Sequence, residues 1–337
     1  MRIKRIGLLT SGGDAPGMNA AIRSVVRSAN SNGIEVYGIR RGYNGLINDD
    51  MRLLKNKDVG SIMNRGGTVL FTARSEEFMS KEGKKKAYEN CKKRELDALI
   101  AIGGDGTFTG LRDFSRLFKI PVIGIPATID NDVGCTHYTI GFDTAANTAV
   151  EAIDRIKDTM QSHERCSVIE VMGHTSGKLA LYVGIATGAT TVLIPEEKWS
   201  FKEDIEEKIK NYRSLGYTHF LLIVAEGAKD NKEGIKIEGS VGAEIVKLLK
   251  ERLHIDPRLT ILGHIQRGGN PTVRDRVTAT RMGYMAVKAL IEGRKNKVIV
   301  HKEGAVRELD LEEALKMKSR LYKLEEATEE AMTQKAK

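Results

Sequence analysis

The chain has 337 residues, of which 41% are hydrophobic and 29% are charged, and its formal net charge is +9. This length and composition suit two globular domains, and no apolar run is long enough to span a membrane. The three cysteines, Cys91, Cys135 and Cys166, lack the spacing of a zinc site or a disulfide framework, so we expect a cytoplasmic protein with reduced thiols.

The positive charge does not form the pattern of a nucleic-acid interface. The densest basic segment, Lys81–Arg94, carries Glu82 and Glu89 among its lysines and is typical of a solvated helix face. We therefore attribute the net charge to solubility and to attraction for anionic metabolites, and we expect neither nucleic acid nor membrane as a partner.

Short apolar segments rich in β-branched residues alternate along the chain with amphipathic helical segments. This alternation predicts an α/β fold with largely parallel sheets that helices cover on both faces. The predicted strands are Arg5–Thr10, Glu35–Ile39, Ala98–Ile102, Val122–Ile125, Ser167–Val171, Thr191–Ile194, Phe220–Ala225 and Thr260–Leu262. The predicted helices are Met18–Asn32, Gly83–Arg94, Thr107–Leu117, Phe142–His163, Lys178–Thr187, Phe201–Leu215, Val241–Leu253, Asp275–Glu292 and Asp310–Met317. Gly227–Gly239 is polar and predicts a surface loop or hairpin, and Lys323–Lys337 predicts a surface tail.

Three of the predicted strands end in segments that no apolar core could absorb. Thr10–Asn19 and Gly103–Thr107 are rich in glycine, which lets backbone N–H groups approach phosphates, and the second also carries a carboxylate suited to Mg²⁺. Thr128–Asp132 carries two carboxylates, of which one could accept a proton and the other could face a metal. Because ligands of open α/β sheets bind where parallel strands end, these segments together predict phosphoryl transfer.

The individual motifs differ in how much they specify. Thr10–Asn19 fits neither the dinucleotide fingerprint nor the Walker A motif. Gly103–Thr107 also occurs in NAD kinases and lipid kinases, so alone it indicates only a phosphate site. The NAD-kinase alternative, however, predicts neither Thr128–Asp132 nor Gly263–Gly269.

The order of motifs resembles that of the bacterial-type ATP-dependent 6-phosphofructokinases, members of the phosphofructokinase family, from Ile6 to about Tyr322. The segments that carry the resemblance are Leu9–Asn19, Asn64–Thr68, Ala73–Arg74, Gly103–Gly106, Thr128–Asp132, Tyr138–Gly141, Ser162–His163, Arg165, Glu170–Gly173, Gly263–Gly269 and Asp275–Arg276. The resemblance implies two similar three-layer α/β/α domains with the active site in the cleft between them. One would hold residues 1–140 and about 275–300 and bind ATP and Mg²⁺. The other would hold 141–274 and about 301–322 and bind the sugar phosphate.

The resemblance also implies roles for individual residues in phosphorylating fructose 6-phosphate. Asp130 would be the base that takes the proton of the sugar 1-hydroxyl, and Asp105, with Asp132 nearby, would serve Mg²⁺. Arg74 and Thr128 would stabilise the transferring group, as a reaction that depends on positioning and charge neutralisation requires. The residues implied in ATP binding are Gly13, Tyr43, Arg74, Ser75, Gly104, Asp105, Gly106 and Thr107.

A second group of residues is implied in binding the sugar phosphate. It consists of Thr128, Ile129, Asp130, Arg165, Met172, Gly173, His174, Glu226, Arg267, Val273 and Arg276. Arginine suits phosphate oxygens because its planar fork can donate two hydrogen bonds at once. The resemblance implies that Arg165 and Arg267 reach a neighbouring subunit's site, and hence a homotetramer.

Three departures from the family pattern bear on function. Gly106 and Ala127 stand where pyrophosphate users tend to carry Asp and Lys, which favours ATP as the donor, although Ala127 is not the usual glycine. His174 stands where the family usually has arginine, which predicts weaker and more pH-dependent sugar binding. At the family's effector site, the cations Arg23 and Arg27 remain, Lys157 replaces an arginine and Thr190 replaces an acid. We therefore expect weak or absent regulation by ADP and phosphoenolpyruvate.

Two alternatives stay open. One is a related kinase with another donor or sugar phosphate, for which Gly106, Ala127 and His174 are the discriminating positions. The other is a catalytically silent member of the fold, which would be expected to lose Asp130, Asp105 or Arg74, and all three are present.

Overall fold

The structure is a computed structural model that describes residues 3–319 and 321 of the chain. The described residues form two compact units. Unit 1 holds the chain up to Ile129, together with Val133–Thr144 and Arg267–Ser319, and unit 2 holds Asp130–Asp132 and Ala145–Gln266. The segment Lys323–Lys337, expected to be a surface tail, lies outside the described residues.

Strands and helices alternate through most of the chain. The strands are β1 (Arg5–Thr10), β2 (Glu35–Ile39), β3 (Met51–Leu54), β4 (Ala98–Gly103), β5 (Val122–Pro126), β6 (Cys166–Val171), β7 (Thr191–Leu193), β8 (Phe220–Ala225), β9 (Arg258–Ile261), β10 (Lys297–Lys302) and β11 (Ala305–Asp310). The α-helices are α1 (Met18–Ser31), α2 (Tyr43–Ile47), α3 (Lys81–Lys93), α4 (Asp105–Phe118), α5 (Phe142–Ser162), α6 (Lys178–Thr187), α7 (Glu207–Ser214), α8 (Val241–Leu253), α9 (Val273–Ile291) and α10 (Leu311–Ala314). Single 3-10 turns cover Asn56–Val59, Glu77–Met79 and Gly263–Arg267.

Within its described residues, unit 1 is built on a seven-stranded sheet with the order β11-β10-β5-β4-β1-β2-β3. The inner pairs are parallel, whereas β3 and β11 pair antiparallel to β2 and β10 at the two edges. Strands β4 and β5 are buried along their whole length, as expected for the centre of a parallel sheet that helices cover. The carboxyl ends of β1, β4 and β5 therefore lie side by side, as the sequence predicts.

The described part of unit 2 is built on a four-stranded, all-parallel sheet with the order β7-β8-β6-β9. Its central strands β6 and β8 are completely buried and contain almost only apolar residues. The segment Gly227–Gly239 carries one isolated bridge, between Trp199 and Asn231, and is otherwise a loop. Both units are therefore α/β, which confirms the predicted fold class.

The hairpin of β10 and β11 is the largest departure from the predicted elements. Its two-residue turn is formed by Glu303 and Gly304, whose φ angles of 50° and 73° suit the twist of a tight hairpin. Because β10 pairs with β5, residues 297–310 belong to the sheet of unit 1 and not to the second domain, where 301–322 was expected. Strand β11 has no buried residue, so its apolar signal in the sequence is weak.

The ends of the helices differ from the prediction where local geometry intervenes. The expected helix over Phe201–Leu215 begins with a π-helical turn, Phe201–Glu206, before α7. The expected helix Asp310–Met317 shortens to α10, whose first turn is capped by the Asp310 carboxylate. Among the described residues, no helix is long and apolar enough to cross a membrane.

Candidate functional site

Two glycine-rich turns meet at the carboxyl ends of the adjacent strands β1 and β4 in unit 1. Gly12 has a φ of 88°, a value that glycine adopts readily. Ser11 donates its backbone N–H to Ile102 O (3.0 Å), and the Thr107 hydroxyl donates to Ser11 O (3.2 Å). These bonds join the turn after β1 to the start of α4, so the two predicted phosphate-binding segments form one surface.

The start of α4 is open. Asp105 and Gly106 are exposed, and a Cβ added to Gly104 or Gly106 would meet no atom within 4 Å. The N–H groups of Thr107 and Phe108 donate to Gly104 O, at 3.0 and 3.2 Å, and the helix dipole at this end of α4 favours an anion. This geometry suits a phosphate group.

The same turn fits a magnesium ion shared with phosphates. Among the described residues, no group of three or more His, Cys, Asp or Glu side chains is arranged to hold a metal. Mg²⁺ usually takes only one or two protein carboxylates, with water and substrate phosphates as its other ligands. A single exposed carboxylate, Asp105, beside an open amide-lined turn meets that requirement.

Tyr43 lies beneath this surface and not on it. Its ring is 5% exposed, stacks on Phe78 with the centroids 3.9 Å apart, and lies close to Gly110. The Tyr43 hydroxyl donates to Thr107 O (2.6 Å), and burial raises the pKa of this hydroxyl, so it stays a donor. In the structure Tyr43 supports the backbone of Thr107, and its implied part in ATP binding stays a prediction.

The segment from Asn64 to Arg74 is tied to the turn after β1. Asn19 donates to Arg65 O and Gly66 O, at 3.0 and 3.1 Å, and accepts the N–H of Val69. Thr72 donates its hydroxyl to Gly12 O (2.6 Å). These bonds explain why polar residues recur in these motifs.

Arg74, at the end of that segment, is exposed. Its backbone carbonyl accepts a hydrogen bond from Asn44, whereas its guanidinium pairs with no acid among the residues that the structure describes. The neighbouring Ser75 hydroxyl accepts the N–H of Phe78 (3.3 Å) and so starts the 3-10 turn. Arg74 is thus a cation held at its backbone and available to an anionic ligand.

Arg267 lies against the same glycine turn in its own chain. Its Nη1 donates to Asp14 O (3.3 Å), and a Cβ at Gly13 would come within 2.6 Å of it. Within its own chain, Arg267 therefore contacts the glycine turn, and its expected reach into a neighbouring subunit's site stays a prediction. Gly66 and Gly269 approach so closely that a Cβ on Gly66 would overlap the carbonyl of Gly269.

Asp275, for which the sequence implied no role, organises this part of unit 1. The carboxylate is fully buried and accepts hydrogen bonds from Tyr138, the N–H of Gly141 (2.7 Å), and both the N–H and the hydroxyl of Thr144 (2.9 and 2.5 Å). Burial raises the pKa of Asp275, and these hydrogen bonds oppose that effect. The only indication of this role in the sequence was the position of Asp275 directly before Arg276 in the motif Asp275–Arg276.

The implied sugar-binding residues at the start of α9 and before the Asp130 turn differ in how far their side chains are available to a ligand. Arg276 donates from Nε to Pro271 O (2.7 Å), which leaves its terminal nitrogens without a described partner. Val273 is 78% exposed at the first position of α9. Ile129, by contrast, is completely buried, so only its backbone can face a ligand.

The turn that follows Ile129 belongs to unit 2. Asp130 and Asn131 are buried, Asp132 is partly exposed, and Asn131 has a left-handed backbone with a φ of 49°. The hydroxyl of Thr139 donates to Thr128 O (2.7 Å) just before the turn, within unit 1. A left-handed asparagine between two carboxylates makes this a tight turn with defined side-chain directions.

A second loop of unit 2 follows β6. Gly173 has a φ of 140°, and His174, exposed, has a left-handed backbone with a φ of 53°. The N–H of His174 donates to Glu226 Oε1 (2.9 Å), and a Cβ on Gly227 would overlap His174 O. Glu226 therefore holds the backbone of the loop that carries Met172 and His174.

Two charged residues of unit 2 have functions that the sequence did not reveal. Glu170 accepts hydrogen bonds from Ser240 (2.6 Å) and the N–H of Gly242 (2.7 Å), and so caps the start of α8. Lys178, 7% exposed, donates from Nζ to Asn131 O (2.9 Å). Burial lowers the pKa of the Lys178 ammonium, and the carboxylates of Asp132 and Glu196 oppose that shift.

The remaining implied residues lie in different environments. Arg165 is exposed just before β6, and its guanidinium pairs with no acid in the described part of the chain. Arg23 and Arg27 lie on α1 of unit 1. Lys157, on α5 in unit 2, donates to Thr187 O (2.8 Å) at the last residue of α6, a favourable position for a cation. The Thr190 hydroxyl is also engaged, because it accepts the N–H of Leu221.

The amino-acid sequence is similar to known proteins over most of its length. Residues 5–290 match the family model described as phosphofructokinase. The ATP-dependent 6-phosphofructokinase of Thermoanaerobacter sp. (strain X514) is 48% identical over 327 residues, which cover 96% of this chain and 98% of that protein. ATP-dependent 6-phosphofructokinase 1 of Thermus thermophilus is 49% identical over 313 residues, with coverage of 93% and 94%.

A solved structure of phosphofructokinase from Saccharomyces cerevisiae also matches, with a TM-score of 0.87 and 35% identity. The match covers 93% of this chain and 45% of the yeast chain, so the chain spans less than half of that longer protein. The similarity thus extends over nearly the whole of this sequence, including each of the turns described above.

Proposed function

The chain belongs to the phosphofructokinase family, and on that premise we propose that it transfers the γ-phosphoryl group of ATP to the 1-hydroxyl of fructose 6-phosphate. The observation that carries the proposal is the open turn at the start of α4, where exposed Asp105 and Gly106 lie at the N-terminus of the helix, next to the glycine turn after β1. Such a surface binds a chain of phosphates.

In this proposal, unit 1 positions the nucleotide. The N–H groups of Gly13, Gly104 and Gly106 face its phosphates, and Arg74 neutralises charge on the group in transfer. Tyr43 supports this surface from below by holding Thr107 O. Asp105 would hold Mg²⁺, which lowers the negative charge of the phosphates when bound.

Asp130 is the proposed base. The transfer requires the proton of the attacking hydroxyl to move to a group within hydrogen-bond reach, and a carboxylate held on a tight turn can accept it. The support is the position of Asp130 in a buried, left-handed turn next to Thr128, together with the motif Thr128–Asp132. A metal-binding role for Asp132 is proposed from the resemblance alone.

Substitution of Asp130 tests this assignment. We expect Asp130→Asn to lower kcat by about 10²–10⁴-fold, because the amide cannot accept the proton, with a much smaller change in KM for the sugar. The exposed acid Asp154 on α5 provides the control, since Asp154→Asn should leave both constants unchanged. A loss of less than about fivefold in kcat for Asp130→Asn would remove Asp130 from the role of base.

The phosphoryl donor is proposed from two positions. The space above Gly106 is open, and Ala127 is 1% exposed with its N–H bonded to Gly103 O (3.0 Å). No charged side chain projects from either position to occupy the space of the α-phosphate, which favours ATP. Parallel rates with ATP and with pyrophosphate test this choice, and a higher rate with pyrophosphate would contradict it.

The sugar phosphate would bind to arginines and to the loop of unit 2. Arg165, Arg267 and Arg276 are the proposed phosphate ligands, with Met172, Gly173, His174 and Glu226 at the sugar. His174 stands where the family usually has an arginine, so we propose that KM for the sugar changes with pH between pH 6 and pH 8. A constant KM over this interval would contradict that role.

Two properties of the assembled enzyme are proposed from the resemblance. One is a homotetramer, in which Arg165 and Arg267 would reach a neighbouring subunit's site, and sedimentation or light scattering would test it. The other is weak or absent regulation by ADP and phosphoenolpyruvate. The engagement of Lys157 with Thr187 O supports the second, because its ammonium is already bonded. A sigmoidal sugar curve that ADP straightens would contradict it.

A further inference from the structure

Lys178 occupies a position that general electrostatics disfavours. It is the first residue of α6, where the helix dipole repels cations, and it is buried, with 7% of its surface exposed. Burial of a lysine without compensation is unfavourable, because the ammonium loses its hydration. We therefore expect the Lys178 ammonium to have a specific function at this position.

The ammonium contacts the turn that carries the proposed catalytic carboxylates. Nζ donates to Asn131 O at 2.9 Å, a hydrogen bond that the positive charge strengthens. This carbonyl belongs to the peptide that joins Asn131 to Asp132, and Asn131 has a left-handed φ of 49°, a backbone region that residues other than glycine rarely adopt. Fixing that peptide plane also fixes the directions in which the side chains on either side leave the turn.

The start of α6 is itself anchored to the loop of unit 2. The N–H of Gly177 donates to both carboxylate oxygens of Glu196, at 2.9 and 3.0 Å. The N–H of Ser176 donates to Gly173 O (2.8 Å), so the residues around Gly173 and the first turn of α6 are joined by hydrogen bonds. Lys178 therefore connects the Asp130–Asp132 turn to the loop that carries Met172 and His174, all within unit 2.

We propose that Lys178 is a positioning residue that aims the carboxylate of Asp130 by holding the carbonyl of Asn131. The proposal rests on the proposed function, since Asp130 is the base only if the chain transfers a phosphoryl group to a hydroxyl. A displacement of about 1 Å at a catalytic group can cost about 10²-fold in rate, so loss of this bond should act on turnover more than on binding.

The test compares Lys178 with another buried lysine of the same kind. Lys84 is also 7% exposed, and its Nζ donates to Met79 O at 3.0 Å, but it lies on α3 in unit 1, outside the proposed site. The variants Lys178→Met and Lys84→Met each remove one ammonium and leave one carbonyl without its donor. Steady-state kinetics of the full-length chain with ATP, Mg²⁺ and fructose 6-phosphate give kcat and KM for each.

We expect Lys178→Met to lower kcat by about 10–100-fold with KM for the sugar within about threefold of the wild type, and Lys84→Met to leave kcat nearly unchanged. Lys178→Arg, which retains a cationic donor, should recover a large part of the lost kcat. Hydrogen exchange of the peptides that cover residues 128–135 should accelerate in Lys178→Met and not in Lys84→Met.

If Lys178→Met does not fold, the comparison of Lys178→Arg with Lys178→Gln replaces it, and a clearly higher kcat for the arginine variant is the expected result. Equal kcat values for the two Met variants, or for the Arg and Gln variants, would overturn the positioning role alone. An inactive wild-type chain would instead overturn the proposed function and this inference together.

Discussion

At the scale of single residues, the sequence indicated candidate ligand-binding residues more readily than the buried residues that support them. Asp105, Gly106 and Arg74 lie exposed where a phosphate-binding role requires them. Asp275 and Lys178 gave no comparable signal, because a buried charge is recognisable only from the partners that folding brings to it. Tyr43 shows the converse case, since the residue was identified but its ring proves to be buried.

His301 provides a test of residue-scale electrostatics. Burial, assisted by the positive charges of Arg274 and Arg281 and by His137, lowers the pKa of His301 below its ordinary value of 6.5. The unfolded chain therefore binds more protons between that lowered value and about pH 6.5, and the free energy of unfolding falls as pH decreases through this interval.

We expect the melting temperature of the wild type to fall more between pH 7.5 and pH 5.5 than that of His301→Gln. Thermal unfolding at these two pH values, followed by circular dichroism, measures the difference. The exposed His163 supplies the control, because His163→Gln should retain the wild-type dependence. Identical pH dependence in wild type and His301→Gln would contradict the assignment.

At the scale of elements, strands that are buried on both faces were predictable, whereas the edge strands β3 and β11 of unit 1 were not. The predicted bounds of β1, β2 and β8 match the structure, because continuous apolar runs leave few alternatives. Strands β3 and β11 lie at the edges of their sheet and carry exposed polar residues, so their sequences resemble loops. The α2 helix is only five residues long, which is too short for periodicity analysis to detect.

Gly106 and Gly66, both in unit 1, differ in what surrounds them: Gly106 faces open space, and Gly66 is tightly packed. A Cβ on Gly106 meets open space, whereas a Cβ on Gly66 overlaps the Gly269 carbonyl. We expect Gly106→Ala to leave the melting temperature unchanged or slightly higher, as alanine favours the helix, and to raise KM for ATP by about tenfold, since the methyl occupies the proposed phosphate space. Gly66→Ala should lower the free energy of unfolding by about 1–3 kcal/mol.

Thermal unfolding and ATP saturation curves of both variants measure these effects. A destabilised Gly106→Ala with an unchanged KM for ATP would indicate that the start of α4 is a structural turn and not a nucleotide site.

At the scale of the whole molecule, the fold assembles its site from segments that are distant in sequence. The sheet of unit 1 combines strands from the first 126 residues with the hairpin at 297–310, and Arg267 reaches back to Gly13 and Asp14. Periodicity of a single sequence cannot reveal such pairings, because it reports which face of an element is buried and not against what. The resemblance to a family supplied the two-domain division, yet it misplaced residues 301–310.

The thiols test how completely both units exclude solvent. Cys91, Cys135 and Cys166 are each at most 2% exposed, and burial raises the pKa of each to about 12. Since the thiolate is the reactive form, the native chain at pH 8 should react with Ellman's reagent far more slowly than a free thiol. The chain unfolded in guanidinium should release three equivalents at once. Rapid release of one equivalent from the native chain would contradict the described packing.

The measurement that tests the central claim most directly is the formation of fructose 1,6-bisphosphate from fructose 6-phosphate and Mg²⁺, with ATP and pyrophosphate supplied separately. We expect product with ATP and little with pyrophosphate, and loss of the ATP-dependent rate in Asp130→Asn. Product with pyrophosphate alone would contradict the interpretation of Gly106 and Ala127, and no product with either donor would contradict the proposed function itself.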